Sequence, residues 1–510
     1  MSFWWWVLIA VGVVLTVVAI YDLAQRRHAI LRVFPLVGHL RFVLESIGPE
    51  LRQYIVTSNN EEKPFNRDER RWIYSGAKDE DTYFGFGTDN DLEHSPGYVI
   101  VRHSAFPIAA PSASSSAGGP AHALPVAKVL GAARNRNNSF RMPSAVNISS
   151  MSFGSLSGPA VEALNRGATT AGVLHGTGEG GVSAHHLHGG ELIWQIGTSY
   201  FGCRDEHGAF SVERFRDVVA ATPSVRAIEV KLSQGAKAGL GGLLPAAKIT
   251  PEIAASRGIP LGVDCASPPS HTAFSSVDEM LDFVELLATE SGLPVGIKSA
   301  VGDLWFWRKL ADLMTARDRG VDFITIDGGE GGSGAAPLSF SDHVGMPFKL
   351  GFSSVYGIFA EHGLTDRVVF MGSGRLGLPH IALFAFALGC DSINVGRETM
   401  LALGCIQAQR CHTGRCPTGV TTQSRWRGRG VDPETKSDRV ASYLIQLRKE
   451  ILQLSRACGV EHPALVAPGD LEILEDGFAH RSVGDTFGYQ PDWGRPGAQD
   501  QADVVQLMQP

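Results

Sequence analysis

From about residue 146 onward, short apolar runs rich in β-branched residues recur along the chain, most of them ending in Gly, Ser or a polar residue. They are AVNIS (145–149), AGVLH (171–175), AIEVKL (227–232), PLGVD (260–264), PVGIK (294–298), DFITID (322–327), RVVFM (367–371) and DSINVG (391–396). Helix-compatible segments such as VDEMLDFVELLATE (277–290) and LWFWRKLADLMTARDRG (304–320) separate most of them. Apolar strands alternating with helices predict a parallel sheet covered on both faces. Eight units over about 250 residues fit a (β/α)8 TIM barrel, whose active site forms at the C-terminal ends of the strands. A doubly wound sheet shares this periodicity and stands as the alternative.

The N-terminus follows another pattern. Phe3 to Tyr21 is a run of 19 residues without a charge, close to the length of about 20 that spans a bilayer. Trp4, Trp5, Trp6 and Tyr21 mark its two ends, as interfacial aromatic residues do. A signal peptide would carry a basic start and a small-residue cleavage site, neither of which is seen; a buried core helix is the other alternative. Arg26, Arg27, Arg32 and Arg41 follow the run, so a single-pass anchor would leave the bulk of the chain cytoplasmic. Pro35, Gly38, Pro49, Pro64 and the loop-like PSASSSAGGP (111–120) punctuate the next stretch. The expected division is an anchor (1–24), a lead-in packing on the barrel (25–140), the barrel domain (141–470) and a C-terminal tail (471–510).

Composition narrows the class. The 510 residues are 44% hydrophobic and 19% charged, enough for a packed core and unlike a disordered chain. A net charge of −7 provides no basic footprint for nucleic acid. Seven cysteines do not read as a secreted disulfide framework. Glycine is the informative count: 59, many in short runs.

GSGRLG (372–377) follows the seventh run and matches G-x-G-x-x-G, with Asp391 at the Rossmann spacing. In barrels, however, the loops after strands 7 and 8 commonly hold a phosphate through backbone N–H groups. Gly372, Gly374 and Arg375, with Gly396 and Arg397 after the eighth run, suit a phosphomonoester such as that of flavin mononucleotide (FMN). Tight turns without a ligand are the alternative, and GTGEGG (176–181) matches the same weak pattern. DGGEGGSGAAP (327–337), with Gly328 and Gly329, could line a cofactor. Glu179, Lys231, Gln234, Lys237 and Lys298 fall at or just after predicted strand ends, a shared face where polar groups suggest chemistry. HHLH (185–188) reads as structural.

Cys405, Cys411 and Cys416 form C-x5-C-x4-C-P. Three close thiols suggest metal, and proline after the last is an iron–sulfur feature. Zinc would want a fourth ligand; His412 adjoins Cys411 and is awkward at the same ion, so a cluster on three thiolates suits the spacing better. Cys203, Cys265, Cys390 and Cys458 read as buried small hydrophobes.

Taken in order, several stretches resemble the FMN-binding domain of glutamate synthase. They are ISSMSFGSLS (148–157), HGTGEGG (175–181), VKLSQGAKAGLGGLLPAAKITPEIAASR (230–257), SPPSH (267–271), ITIDGGEGGSGAAPL (324–338), TDRVVF (365–370) and LGCIQAQRCHTGRCPTGVTTQ (403–423). The resemblance covers roughly residues 140–425, and HAILRVFPLVGHLRFVLESI (28–47) is similar to the short, membrane-anchored branch of that family. It implies FMN in the barrel, a [3Fe-4S] cluster on Cys405, Cys411 and Cys416, and reductive amination of 2-oxoglutarate. By motif it assigns proton handling to Glu179 and substrate carboxylates to Lys231 and Arg257, with Lys237 beside them. Met151, Ser152 and Gln234 would line the flavin, and Lys298 would stand at its N1/O2 edge. The cluster would relay electrons to FMN.

Three departures qualify what the resemblance implies. Residue 2 is Ser and the stretch before the barrel is too short for an amidotransferase, so ammonia would be free or partner-supplied. No nicotinamide domain is evident, so a ferredoxin-like protein or an NAD(P)H-dependent flavoprotein would donate electrons. Leu240 and Leu243 stand where the family has Glu and Gln, which favours another, more apolar acceptor. A membrane-associated oxidoreductase of a different substrate, and an electron-transfer subunit, are the competing readings.

Overall fold

The computed structural model describes residues 3–48, 61–109 and 122–509; PSASSSAGGP (111–120), expected as a loop, lies outside them. Wholly buried strands need helices on the outside and hydrogen-bonded neighbours on both edges, and closure meets both demands. In chain order the strands are β1 (Val99–Val101), β2 (Val146–Ile148), β3 (His175–Gly176), β4 (Leu192–Ile196), β5 (Val225–Lys231), β6 (Leu243–Leu244), β7 (Cys265–Ala266), β8 (Val295–Ser299), β9 (Phe323–Asp327), β10 (Val369–Ser373), β11 (Ser392–Val395), β12 (Leu471–Leu474) and β13 (His480–Ser482). Eight of them, β2, β3, β4, β5, β8, β9, β10 and β11, close into a parallel barrel in that order, with β11 pairing back onto β2. The fold is therefore the (β/α)8 barrel, not the doubly wound sheet.

One strand assignment is corrected. PLGVD (260–264) forms no strand, and the segment after it, β7, pairs antiparallel with β6 in a two-stranded excursion between β5 and β8. The missing barrel strand is β4, LIWQI, every residue of which is buried. The strand that ends at Lys231 is thus the fourth of the barrel.

The bore of the barrel is polar at its centre. Gln195 and Glu229 face each other in register across β4 and β5. The Glu229 carboxylate accepts from Gln195 Nε2 at 2.5 Å and from Thr325 Oγ1 at 2.7 Å, a buried acceptor with its donors in place. Outside, helices start on side-chain caps: Ser157, Ser211, Thr250 and Ser276 each accept the N–H three residues on. The longest covering helix, Pro433–Ala457, lies against Gly158–Ala171, where a Cβ on Gly167 would come within 2.8 Å of Val440. Only glycine admits that approach.

The flanking segments are docked. Helix Arg67–Ala77 packs on Pro433–Ala457, with Trp72 Nε1 donating to Glu450 at 2.9 Å. β1 joins β12 and β13 in an antiparallel sheet, and helix Ala498–Leu507 buries Val504. Helix Phe3–Ala24 is long and apolar enough to cross a membrane, and nearly all of it is exposed. At its end Asp22 is fully buried, accepting from Leu36 N at 3.0 Å and contacting His39 Nε2 at 3.0 Å. Arg26 and Arg32 then reach Asp432 on the barrel domain.

Candidate active site

The polar strand ends meet at one mouth of the barrel. Lys231, last residue of β5, donates to Glu179 Oε2 at 3.0 Å and to Gln234 Oε1 at 2.7 Å. Glu179 sits in the glycine loop after β3, pressed close by Gly197 and Gly242: a Cβ on either would come within 2.9 Å of its side chain. Burial raises its pKa, but Lys231, Lys237 and Arg257 together outweigh this and hold it below the ordinary carboxylate range. Burial in turn pulls Lys237 and Arg257 below their usual values. Arg257 ends helix Pro251–Arg257, donates to Phe153 O at 3.0 Å and stands 3.4 Å from Ser152 Oγ. Three cations thus surround one carboxylate.

A second group lies on the β9–β11 side. Gly328 N donates to Ser373 O at 2.9 Å, joining the loop after β9 to the end of β10. A Cβ on Gly374, where φ is +124°, would lie 3.1 Å from Gly328 N, and one on Gly235 would lie 1.7 Å from Gly328 O. Gly329 is held by its N–H to Met346 O. Arg375 and Arg397 both face the ring of Phe65, at 5.4 and 5.3 Å from its centroid. Arg375 pairs with Glu69, while its Nε is buried without a partner among the described residues. Arg397 donates to the Glu330 carbonyl. Met151 Sδ would be 3.9 Å from a Cβ on Gly396, and the Ser152 backbone packs on Gly178. Lys298 lies in register beside Lys231 on the neighbouring strand, and its acidic partner is Asp327, at 3.8 Å.

Cys405, Cys411 and Cys416 line one cavity together with Met400, Thr418 and Thr421. Among the described residues no three His, Cys, Asp or Glu side chains converge on a single-ion position. Burial pushes Cys405 up to about 12 and also raises Cys411. Burial acts the same way on Cys416, but hydrogen bonds from Thr418 and Thr421 outweigh it and bring its thiol below the usual range. His412 is exposed. Of the other cysteines Cys203, Cys265 and Cys390 are buried and Cys458 is half-buried. The cysteine loop abuts the loop after β2: Lys248 Nζ donates to Ser155 O at 2.9 Å and Cys411 O at 3.4 Å, and Gln423 donates to Leu156 O at 2.9 Å.

Four contributors had no signal in the spacing of the sequence. Glu229 lies inside β5, two residues before Lys231 and so on the same face. His271, made neutral by burial that lowers it to about 4, contacts the Lys231 carbonyl at 2.9 Å and steadies that strand end. Lys248 bridges two loops, and Tyr74 in the lead-in donates to Cys405 O at 2.6 Å.

A parallel eight-stranded barrel with ionisable groups gathered at the C-terminal strand ends is the architecture of a (β/α)8-barrel enzyme. Residues 126–461 match the family described as the conserved region in glutamate synthase. The chain is 36% identical to the glutamate synthase large subunit-like protein YerD of Bacillus subtilis, over 89% of this chain and 92% of that one. It is 33% identical to the archaeal glutamate synthase [NADPH] of Methanocaldococcus jannaschii, over 63% of this chain and 60% of that relative's length. A mutant flavocytochrome b2 with benzoylformate aligns at a TM-score of 0.44 and 12% identity, over 88% of this chain and 90% of that one. The chain belongs to the glutamate synthase family, and is an oxidoreductase of the class acting on CH–NH2 donors.

Proposed function

We propose that this chain carries out reductive amination of 2-oxoglutarate or a related 2-oxo acid to the amino acid, using FMN, a [3Fe-4S] cluster, ammonia from solution or a partner, and an external electron donor. The observation that carries this reading is Glu179, ionised beside Lys231, with Lys237 and Arg257 close by. Lys231 and Arg257 bind the carboxylates of the oxo acid, because cations in a half-closed mouth are worth more than in water. Glu179 takes the proton that ammonia releases on adding to the keto carbon and returns one to the departing hydroxyl. Its three cationic neighbours keep it charged until substrate arrives.

The residues suit both cofactors. Arg375 and Arg397 meet on one aromatic ring at the ends of adjacent strands, and the Arg375 Nε left without a partner can serve a phosphate. Lys298, buried and 3.8 Å from Asp327, would stand at the N1/O2 edge of the flavin. FMN, when bound, supplies the hydride. Three thiols lining one cavity would give a cluster one thiolate per iron. Helix Phe3–Ala24 is read as a single-pass anchor with the catalytic body cytoplasmic, residues 25–140 as its lead-in, 141–470 as the catalytic domain and 471–510 as a C-terminal extension.

A second reading rests on Leu240 and Leu243, 41% and 48% exposed, which flank Gly242, where an added Cβ would lie 2.9 Å from Glu179 Oε1. They put apolar surface beside the acid–base group and favour an acceptor with an apolar chain. The test is anaerobic: photoreduced, FMN-loaded protein is mixed with ammonium and a series of 2-oxo acids. Flavin reoxidation with glutamate formed supports the first reading. Reoxidation only by oxo acids with apolar chains selects the second, and no reoxidation by any of them refutes amination.

A further inference from the structure

A cavity of about 560 Å³ shares Ala408, Arg410 and Pro417 with the cysteine cavity and is completed by Phe34, Arg415 and Arg427. Its charge is one-sided. Between Glu398 and Asp432 the chain has no Asp or Glu but five arginines, in a protein of net charge −7. Among the described residues the side chains of Arg410, Arg415 and Arg427 have no hydrogen-bond or ion-pair partner. Three guanidiniums around one opening, without partners among the described residues, have the chemistry to bind a phosphate group.

The remaining wall is apolar and continues into exposed apolar surface. Phe34 belongs to the segment that leaves the apolar helix, and the residues after it leave Val37, Leu40, Val43 and Leu44 more than half exposed. This segment is fixed to the barrel domain beside the arginines, Trp426 Nε1 donating to Val33 O at 3.1 Å and Arg32 reaching Asp432. Uncovered apolar side chains next to unpaired cations, continuous with a membrane-length helix, have the chemistry of a segment lying in a lipid interface. An acidic protein would satisfy the arginines but not the apolar row.

We propose that this cavity binds the headgroup phosphate of an anionic glycerophospholipid, with Arg410, Arg415 and Arg427 around it and the 34–47 segment set among the lipids, so that the cysteine loop rests on the leaflet. This rests on the reading of Phe3–Ala24 as an anchor. The test is hydrogen exchange on the full chain in nanodiscs of phosphatidylcholine alone or mixed with phosphatidylglycerol. Exchange across 34–47 and 405–431 should slow about tenfold in the mixed discs, the factor expected at roughly ten times Kd. Arg427→Gln should lose most of that difference and Arg427→Lys retain it. Equal exchange in both discs overturns the proposal. So does equal protection by inorganic phosphate in phosphatidylcholine discs, which would make it a small-anion site, or protection only by an added acidic ferredoxin. A chain that fails to co-migrate with either disc refutes the anchor, and this proposal with it; entry without lipid dependence refutes this proposal alone.

Discussion

Replacing Glu179 by Gln separates proton handling from architecture. Gln keeps the shape that Gly197 and Gly242 enclose and keeps an oxygen that can accept from Lys231, but it cannot exchange a proton. Lys231 also retains Gln234 Oε1 at 2.7 Å. The stability cost should therefore be about 1–2 kcal/mol, the difference between a charged and a neutral hydrogen bond. That is less than the ~3–5 kcal/mol of a buried pair broken outright. The rate cost should be far larger, roughly 10²–10⁴-fold for loss of a general acid–base group, or about 3–5 kcal/mol of barrier. Amination of 2-oxoglutarate would be followed under anaerobic turnover, with FMN and iron content and thermal unfolding measured on the same samples. Because the native pKa of Glu179 lies below its ordinary 4.5, its stabilising contribution is full above that pH and fades as pH falls through the native value. Wild type and Gln variant should therefore converge in stability in acid. A variant with normal cofactor content that aminates within tenfold of wild type would refute the acid–base assignment.

Arg375→Ala should weaken FMN retention by roughly 10–100-fold, the equivalent of about 1.5–3 kcal/mol for a charged hydrogen bond, as read by flavin released on gel filtration; full retention would remove Arg375 from the phosphate site. Cys411→Ser should abolish the iron–sulfur signal by electron paramagnetic resonance and iron assay while the far-ultraviolet circular dichroism of the barrel persists, and an intact signal would reject the three-thiolate assignment. Gly235→Ala has no room, with its Cβ placed 1.7 Å from Gly328 O; it should shift the loop after β9 and reduce flavin content, and normal flavin binding would show that these two loops need not touch.

Much of the barrel was legible because seven of its strands are apolar runs bounded by Gly, Ser or polar residues. β4 escaped notice because LIWQI carries a glutamine in its middle, which the bore accommodates by pairing it with Glu229. PLGVD misled for the opposite reason: an apolar composition cannot say whether a segment enters the barrel or the excursion beside it. Glu179, Lys231 and Gln234 were readable as strand-end polar groups, and the structure brings them into contact. The contributions of His271, Lys248 and Tyr74 depend on tertiary approach between segments far apart in the chain, for which spacing carries no signal.

The stretch from Lys63 to Tyr74 lies wholly upstream of the matched family region, yet it reaches both the arginine pair after β10 and β11 and the cysteine loop. Phe65 underlies Arg375 and Arg397, Glu69 pairs with Arg375, Gln407 is tied to the Phe65 backbone, and Tyr74 caps the Cys405 carbonyl. The unit that can be inherited or transplanted is thus larger than the shared region 126–461. A fragment trimmed to those limits would keep the barrel but lose the contacts that hold Arg375, Arg397 and Cys405 from upstream, and a chimera that exchanges the upstream segment would exchange those contacts with it.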